Sequence, residues 1–210
     1  MKLLKGNVIG LDVEYIEEIS EETHHPTKKP ALLQLCDEHS VLLIQLKNGL
    51  ESRLPRRTLQ LLCDPKIIKV GVGIHNDCAS LVRAYRDRFF QNGHIIRQPV
   101  SILELSHLAH ELDRPSTWES GYYSLAGLCE RYLGKKLCKN GNSHRGGWSD
   151  RLSEKQINYA ANDVTSALQI FLKLKSRADK MGKKIDIGKL CQPIDVPAIC
   201  RKANVTHDKR

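Results

Sequence analysis

Five residues carry the side chains with which this sequence could do chemistry: Asp12, Glu14, Asp77, Tyr159 and Asp163. Asp12 and Glu14 lie two residues apart in the run NVIGLDVEY, and the alternation of a β-strand places both carboxylates on one face. Asp77 follows the β-branched run IIKVGVGI at the junction with the next element. Tyr159 and Asp163 are four residues apart in a helical pattern, so they lie on one helix face.

Carboxylate oxygens are ligands for hard divalent cations such as Mg²⁺ or Mn²⁺, and less suited to zinc. If the four carboxylates converged, each like-charged pair at about 4 Å would cost on the order of 4 kcal/mol at an effective dielectric near 20. Two divalent ions would neutralise that repulsion. A pair of ions about 3.5–4 Å apart can hold the attacking and leaving oxygens of an in-line phosphoryl displacement.

Each acidic residue also has a simpler explanation when it is taken alone. Asp12 and Glu14 could be solvated carboxylates at a strand end. Asp77 could serve as a helix N-cap, because aspartate is favoured there. Tyr159 and Asp163 could lie on an exposed helix surface. Neither composition nor spacing shows that these side chains converge.

The elements that would position these residues alternate between strand and helix patterns. Strands are predicted over 7–15, 30–35, 41–46, 67–74 and 100–105, and helices over 54–63, from Asn76 or Asp77 onward, over 124–133 and from Ser153 onward. Residues 16–29 are polar and predict a loop. This order predicts an α/β domain with a mixed central β-sheet flanked by helices. Beyond residue 175 the pattern fades, so we expect a domain over 1–175 and a basic, partly disordered extension over 176–210.

Composition is that of an ordinary globular protein, with 40% hydrophobic and 27% charged residues among 210. The sequence shows neither an apolar run of membrane-spanning length nor a secretory signal pattern, so we expect an intracellular protein. The seven cysteines form no CxxC pair, which favours reduced, mostly buried thiols over a zinc site. The net charge of +9 suits a polyanionic partner such as nucleic acid.

The motifs LDVEY, KVGVGIHND and YAANDV, in this order, resemble the DEDD exonucleases, in the tyrosine subgroup that includes RNase D and the Werner-syndrome exonuclease domain. Flanking runs match too: PALLQL, SLAGLCERYLGKKL, and the stretch from Trp148 to Asp163. The resemblance covers roughly residues 7–175. Two positions depart from the subgroup: Tyr15 stands where tryptophan is frequent, and Glu104 stands where aspartate is common.

The resemblance implies a ribonuclease H-like fold and a two-metal-ion 3′→5′ exonuclease using Mg²⁺ or Mn²⁺. It implies that Asp12, Glu14 and Asp163 bind one ion, and that Asp12 and Asp77 serve the second, partly through water. It assigns to Tyr159 the orientation of the attacking water. The expected products are nucleoside 5′-monophosphates from the 3′ end of RNA or DNA.

Weaker candidates lie around the main motifs. Lys139, His144 and Arg145, in the loop KNGNSHRGGW, could contact the phosphate backbone, or the loop could be an ordinary solvated turn. Trp148 is assigned to the core in preference to a base-stacking role. The histidines His24 and His25 could overhang the site or be exposed.

The sequence therefore predicts a metal-dependent 3′→5′ exonuclease acting on single-stranded or 3′-ended RNA or DNA. The alternative is a nucleic-acid-binding or adaptor module on the same fold, with weak or no catalysis. A phosphoesterase acting on small substrates is disfavoured by the basic loop and the net charge. The substrate class suggests the nucleus, with the cytoplasm or mitochondrion as alternatives.

Overall fold

The computed structural model describes residues 4, 6–19, 24–46, 54–92, 94–113, 124–137 and 147–199. A five-stranded sheet contains β1 (Val8–Ile19), β2 (Pro26–Cys36), β3 (Val41–Gln45), β4 (Ile68–Gly71) and β7 (Ile102–Glu104), in the order β3-β2-β1-β4-β7. The first three strands are antiparallel, whereas β4 and β7 run parallel to β1. A separate small hairpin contains β5 (Phe90–Gln91) and β6 (His94–Ile95).

Helices cover both faces of the sheet, as the α/β prediction requires. The helices are α1 (Arg56–Leu62), α2 (Ile74–Ala84), α3 (Arg86–Phe89), α4 (Leu105–Leu112), α5 (Leu125–Leu128), α6 (Glu154–Lys180) and α7 (Ile187–Leu190), with a π-helical turn after α5 over Cys129–Leu133. One apolar core joins the odd residues Ile9, Leu11 and Val13 of β1 to α1 and α2. A second core joins the opposite face to α4 and α6. The mixed α/β class is therefore confirmed.

The long helix α6 begins where its sequence predicts. The Ser153 hydroxyl accepts a hydrogen bond from the Gln156 N–H, and the Gln156 side chain accepts one from the Ser153 N–H at 3.0 Å. This reciprocal pair satisfies two N–H groups that a helix start leaves without intrahelical partners. The capping box thereby fixes the start of α6. Tyr159 lies on this helix one turn before Asp163.

Two elements differ from their predictions. Residues 16–29 were expected to form a loop, but β1 continues to Ile19 and β2 starts at Pro26. These exposed ends of β1 and β2 form an arm in which polar residues of the two strands pair, and Lys29 forms an ion pair with Glu18. Helix α2 begins at Ile74 after Gly73 in the left-handed region, with φ of 74°, so Asp77 lies within the first turn and does not cap the helix.

The chain after α6 packs against the sheet. Gln192 pairs with Ile102 of β7 through two backbone hydrogen bonds, and the side chains of Ile194 and Val196 are buried. Residues 187–199 thus contain a short helix and a backbone bridge to β7, while the domain boundary at residue 175 and the partly disordered extension over 176–210 stay predictions. Residues 200–210 lie outside the described residues.

At Gly10, the backbone of α6 packs directly against β1. A Cβ atom on Gly10 would lie 2.5 Å from the Val164 carbonyl oxygen and 2.7 Å from Cys36 Sγ. The Cys36 thiol donates to the same carbonyl at 3.2 Å. The missing side chain therefore sets how near the neighbouring Asp163 comes to β1.

Substitution of Gly10 by alanine is expected to lower the free energy of unfolding by about 1–3 kcal/mol, because the added methyl group would overpack a filled interface. Urea unfolding would measure this. Gly127→Ala is the matched control, since its Cβ would meet its nearest neighbour at 3.5 Å. Equal stability of the two variants would contradict the tight approach.

Candidate active site

Three carboxylates lie close together where β1 extends beyond the end of the neighbouring strand β4. Strand β4 pairs with β1 over Val8–Gly10, so Asp12 and Glu14 lie beyond the carboxyl end of β4. Helix α6 crosses this face and adds Asp163. One carboxylate oxygen from each of Asp12, Glu14 and Asp163 lies within 4.8 Å of the others. Strand alternation and the helix crossing together produce the convergence that spacing alone could not show.

Asp77 reaches the same region from the opposite layer of the sheet. Its carboxylate accepts a hydrogen bond from the Tyr15 hydroxyl at 2.8 Å, and that hydroxyl also lies 3.1 Å from Ser80 Oγ. The register between β1 and β2 shifts between Glu14 and Tyr15. This irregularity falls where Tyr15 turns toward Asp77, and the side chain of Asp77 is largely buried. Asp77 lies outside the group of three carboxylates whose oxygens are within 4.8 Å of one another.

Tyr159 lies beside Asp163, and the two side chains are hydrogen-bonded. The Trp148 indole packs against the Tyr159 ring with a centroid separation of 6.2 Å. Trp148 is fully buried, as the core assignment predicted. Its chain segment is held to β3 by the Gln45 side-chain amide, which donates to the carbonyl oxygens of Trp148 at 3.0 Å and Asp150 at 2.6 Å. Tyr159 is therefore supported from the sheet edge.

Burial dominates the electrostatics of the carboxylates. It raises the pKa of Asp12 well above its usual range, and the charges of Asp77 and Asp163 raise it further. Burial, followed by the charges of Asp12 and Asp163, raises the pKa of Glu14 to about 8. Burial raises the pKa of Asp77 to about 7, against the opposing effect of the Tyr15 hydrogen bond. Without cations, this cluster retains protons at neutral pH.

The residues present fit divalent cations. The cluster consists of buried carboxylate oxygens, which are hard ligands, and its repulsion is the kind that bound positive charge relieves. Tyr159 is suited to remain a hydroxyl, because burial and the Asp163 charge raise its pKa. The arrangement can thus combine metal-ion chemistry with a neutral hydrogen-bond donor.

Gln34 is a neighbour of the carboxylates that sequence reasoning missed as a functional residue. It lies on β2 directly opposite Asp12 and is 0% exposed. Its amide partly offsets the rise in the pKa of Glu14. Neither amide atom, however, makes a hydrogen bond of regular geometry within the described ranges. The PALLQL motif contains Gln34, but the sequence does not show the β1–β2 register that places Gln34 at the site.

An open cavity of about 480 Å³ lies at the N-terminus of α2, the helix whose first turn contains Asp77. Its lining includes Gly73, His75, Asn76, His107 and Ser124. Glu104, the other departure from the subgroup, lies on its wall and accepts hydrogen bonds from the Gly73 N–H at 2.8 Å and the Ser106 hydroxyl at 3.2 Å. Glu104 thus stabilises the start of α2, over which the cavity lies.

The structure describes only some of the weaker candidate residues. His24 and His25 are exposed on the β1–β2 arm. Lys139, His144 and Arg145 lie outside the described residues, so their predicted phosphate contacts stay predictions. Within the ranges that the structure describes, no helix is long and apolar enough to cross a bilayer.

Comparison with known proteins gives a consistent result. A family model described as 3′-5′ exonuclease matches residues 1–179. The mouse bifunctional 3′-5′ exonuclease/ATP-dependent helicase WRN is 32% identical over 184 residues, which cover 85% of this chain and 12% of that protein. Human exonuclease 3′-5′ domain-containing protein 2 is 30% identical over 80% of this chain and 25% of its own length. The chain thus spans a minor part of these relatives.

Solved structures agree on the fold. Escherichia coli RNase D, an exoribonuclease involved in structured RNA processing, superposes with a TM-score of 0.60 at 24% identity, over 95% of this chain and 44% of that chain. Brucella melitensis NrnC gives a TM-score of 0.64 at 19% identity, covering 97% and 87% of the two chains. NrnC has also been solved with bound Mg²⁺ and with pGG. The ribonuclease H-like fold is confirmed.

Proposed function

This chain belongs to the 3′-5′ exonuclease family, and on that premise we propose that it hydrolyses the terminal phosphodiester bond at the 3′ end of RNA or DNA. The observation that carries the proposal is the convergence of Asp12, Glu14 and Asp163, with carboxylate oxygens within 4.8 Å. Asp77 lies close enough for its charge to raise the pKa of Asp12. The net charge of +9 favours a polyanionic substrate.

In the proposed mechanism, Asp12, Glu14 and Asp163 would hold one cation, and Asp12 and Asp77 would hold a second. Two Mg²⁺ or Mn²⁺ ions would supply a more acidic water and neutralise charge on the attacking and leaving oxygens. Tyr15 keeps Asp77 oriented through its 2.8 Å hydrogen bond.

Tyr159 orients the water that attacks the terminal phosphorus. The water loses a proton to solvent as the new P–O bond forms and the bond to the 3′ oxygen of the preceding nucleotide breaks, and that oxygen takes up a proton from solvent. The products are a nucleoside 5′-monophosphate and a strand shortened by one nucleotide. The cavity at the N-terminus of α2 would receive part of the strand, and Lys139, His144 and Arg145 would contact its phosphates.

A denaturing-gel assay with 5′-labelled single-stranded RNA and DNA of identical sequence tests the proposal. The reactions contain Mg²⁺, Mn²⁺ or EDTA, with Asp12→Asn as the inactive control. We expect a metal-dependent ladder that shortens from the 3′ end and is absent in the variant. Intact substrates in both metals, together with a band shift on a native gel, would instead establish the adaptor alternative.

Removal of the Tyr159 hydroxyl by Tyr159→Phe is expected to lower kcat by about 100-fold, the cost typical of a reacting group that is no longer held in position. The affinity for Mn²⁺ should change little, because Tyr159 holds water and not the ion. Tyr132→Phe is the matched control, since its hydroxyl donates to the remote Asp113 at 3.1 Å. A large loss of Mn²⁺ affinity in Tyr159→Phe would show that its role is misassigned.

A further inference from the structure

Gln34 is a buried polar side chain that interacts with Glu14 but leaves most of its hydrogen-bonding capacity unused. It is 0% exposed, and within the described part of the chain neither its amide nitrogen nor its amide oxygen has a hydrogen-bond partner. Burying an amide without compensation costs roughly 1–3 kcal/mol in proteins. An apolar residue of the same size would avoid that penalty. The buried amide therefore indicates that a polar partner binds at this position.

The position of Gln34 indicates which partner that is. Gln34 lies directly opposite Asp12 in the β1–β2 register, and Leu32 lies opposite Glu14. Directly opposed residues project from the same face of a sheet, so Gln34 shares the carboxylate face. On its other side, it pairs with Leu43 of β3, an apolar neighbour. Of the two adjacent strands, β1 is therefore the one that places a polar side chain directly opposite the amide.

Chemistry sets the orientation of the amide. Carboxylates that hold a cation are ionised, so they accept hydrogen bonds and cannot donate them, whereas a carboxamide offers two N–H donors and one oxygen acceptor. The amide already interacts with Glu14, without a hydrogen bond of regular geometry. The N–H donors therefore match Glu14, and the oxygen matches a water molecule that a cation would hold.

We propose that Gln34 is a positioning residue of the metal centre, whose amide fixes the Glu14 carboxylate for cation binding and completes its own hydrogen bonds when the cations and their water are bound. This inference rests on the proposed function, because it assigns Glu14 as a metal ligand. Partners that orient metal ligands typically contribute 10–100-fold to metal affinity.

A Gln34→Met variant distinguishes this role from a structural one. Methionine has similar length and lacks the buried polar atoms, so the metal-free variant should be at least as stable as the wild type, because removal of an unpaired buried amide is neutral or favourable. Its affinity for Mn²⁺ should fall about 10–100-fold. At saturating Mn²⁺, kcat should stay within about 10-fold of the wild type.

The measurements are thermal unfolding of the EDTA-treated protein and calorimetric titration with Mn²⁺ in the absence of nucleic acid. Leu33→Met is the matched control, because Leu33 is the adjacent buried residue of β2 and packs in the core on the opposite face. It should bind Mn²⁺ as the wild type does. Gln34→Leu provides a second apolar variant.

Weaker Mn²⁺ binding in a stable Gln34→Met or Gln34→Leu protein supports the inference. Unchanged Mn²⁺ affinity overturns it, and so does loss of the fold in both metal-free variants, since that would show a structural role. Failure of the proposed function gives a different result: the wild type itself would neither bind Mn²⁺ nor shorten the labelled strands.

Discussion

Replacement of Asp163 by asparagine is expected to lower the rate of 3′-end cleavage by at least about 1,000-fold, more than the 10–100-fold typical of residues that only orient metal ligands. The change removes one of the three carboxylates whose oxygens lie within 4.8 Å. It also removes one of the charges that raise the pKa values of Asp12 and Glu14. The free energy of unfolding of the metal-free variant should therefore equal or exceed that of the wild type.

Single-turnover cleavage of a 5′-labelled strand, together with urea unfolding in EDTA, measures both effects. The matched control is Asp179→Asn, the same chemical change at an exposed position near the other end of α6. That variant should cleave at the wild-type rate. If folded Asp163→Asn kept more than a tenth of the wild-type rate, the assignment of Asp163 as a metal ligand would be wrong.

The metal-free protein is expected to become progressively less stable as the pH rises from about 4 to 8. Glu14 and Asp77 have folded-state pKa values of about 8 and 7, above the ordinary values of 4.5 and 3.8. Between these limits the native state binds more protons than the unfolded state, so stability falls with increasing pH. We expect the metal-free Tm to be at least about 5 °C lower at pH 8 than at pH 6.

Added Mn²⁺ should reverse this trend, because the cation replaces the protons, and its stabilisation should be larger at pH 8 than at pH 6. Differential scanning calorimetry at both pH values, with EDTA or Mn²⁺, measures it. The Glu14→Gln variant removes one titrating group and should show a shallower fall of Tm in EDTA. A wild-type Tm that rises from pH 6 to pH 8 in EDTA would contradict the expectation.

Much of the fold could be predicted from local sequence signals. The capping residues Ser124 and Ser153 and the left-handed glycine Gly134 mark element ends where the structure has them. The strand predicted over 67–74 is present, but it ends at Gly71 and α2 already begins at Ile74. The arm over 16–29 was missed because its strands are stabilised by cross-strand pairing of polar residues. Such pairing leaves no alternation of apolar and polar side chains in the sequence.

The candidate site was predictable in its residue types but not in its supporting contacts. Asp12, Glu14, Asp77, Tyr159 and Asp163 could be named from strand and helix periodicity and from the motif resemblance. The contact of Tyr15 with Asp77 depends on an irregularity of strand register, and the position of Gln34 depends on which residue of β1 it faces. Both are long-range properties that a sequence pattern does not specify.

The pairing of Gln192 with Ile102 bears on self-association. Strand β7 has three residues and lies at the edge of the sheet, where open N–H and C=O groups can recruit a strand from another molecule. The segment after α6 occupies that edge with two backbone hydrogen bonds and covers apolar surface with Ile194 and Val196. Cleavage just after α6 would expose both, so the released domain would be prone to dimerise or aggregate through β7 while its carboxylates stay in place.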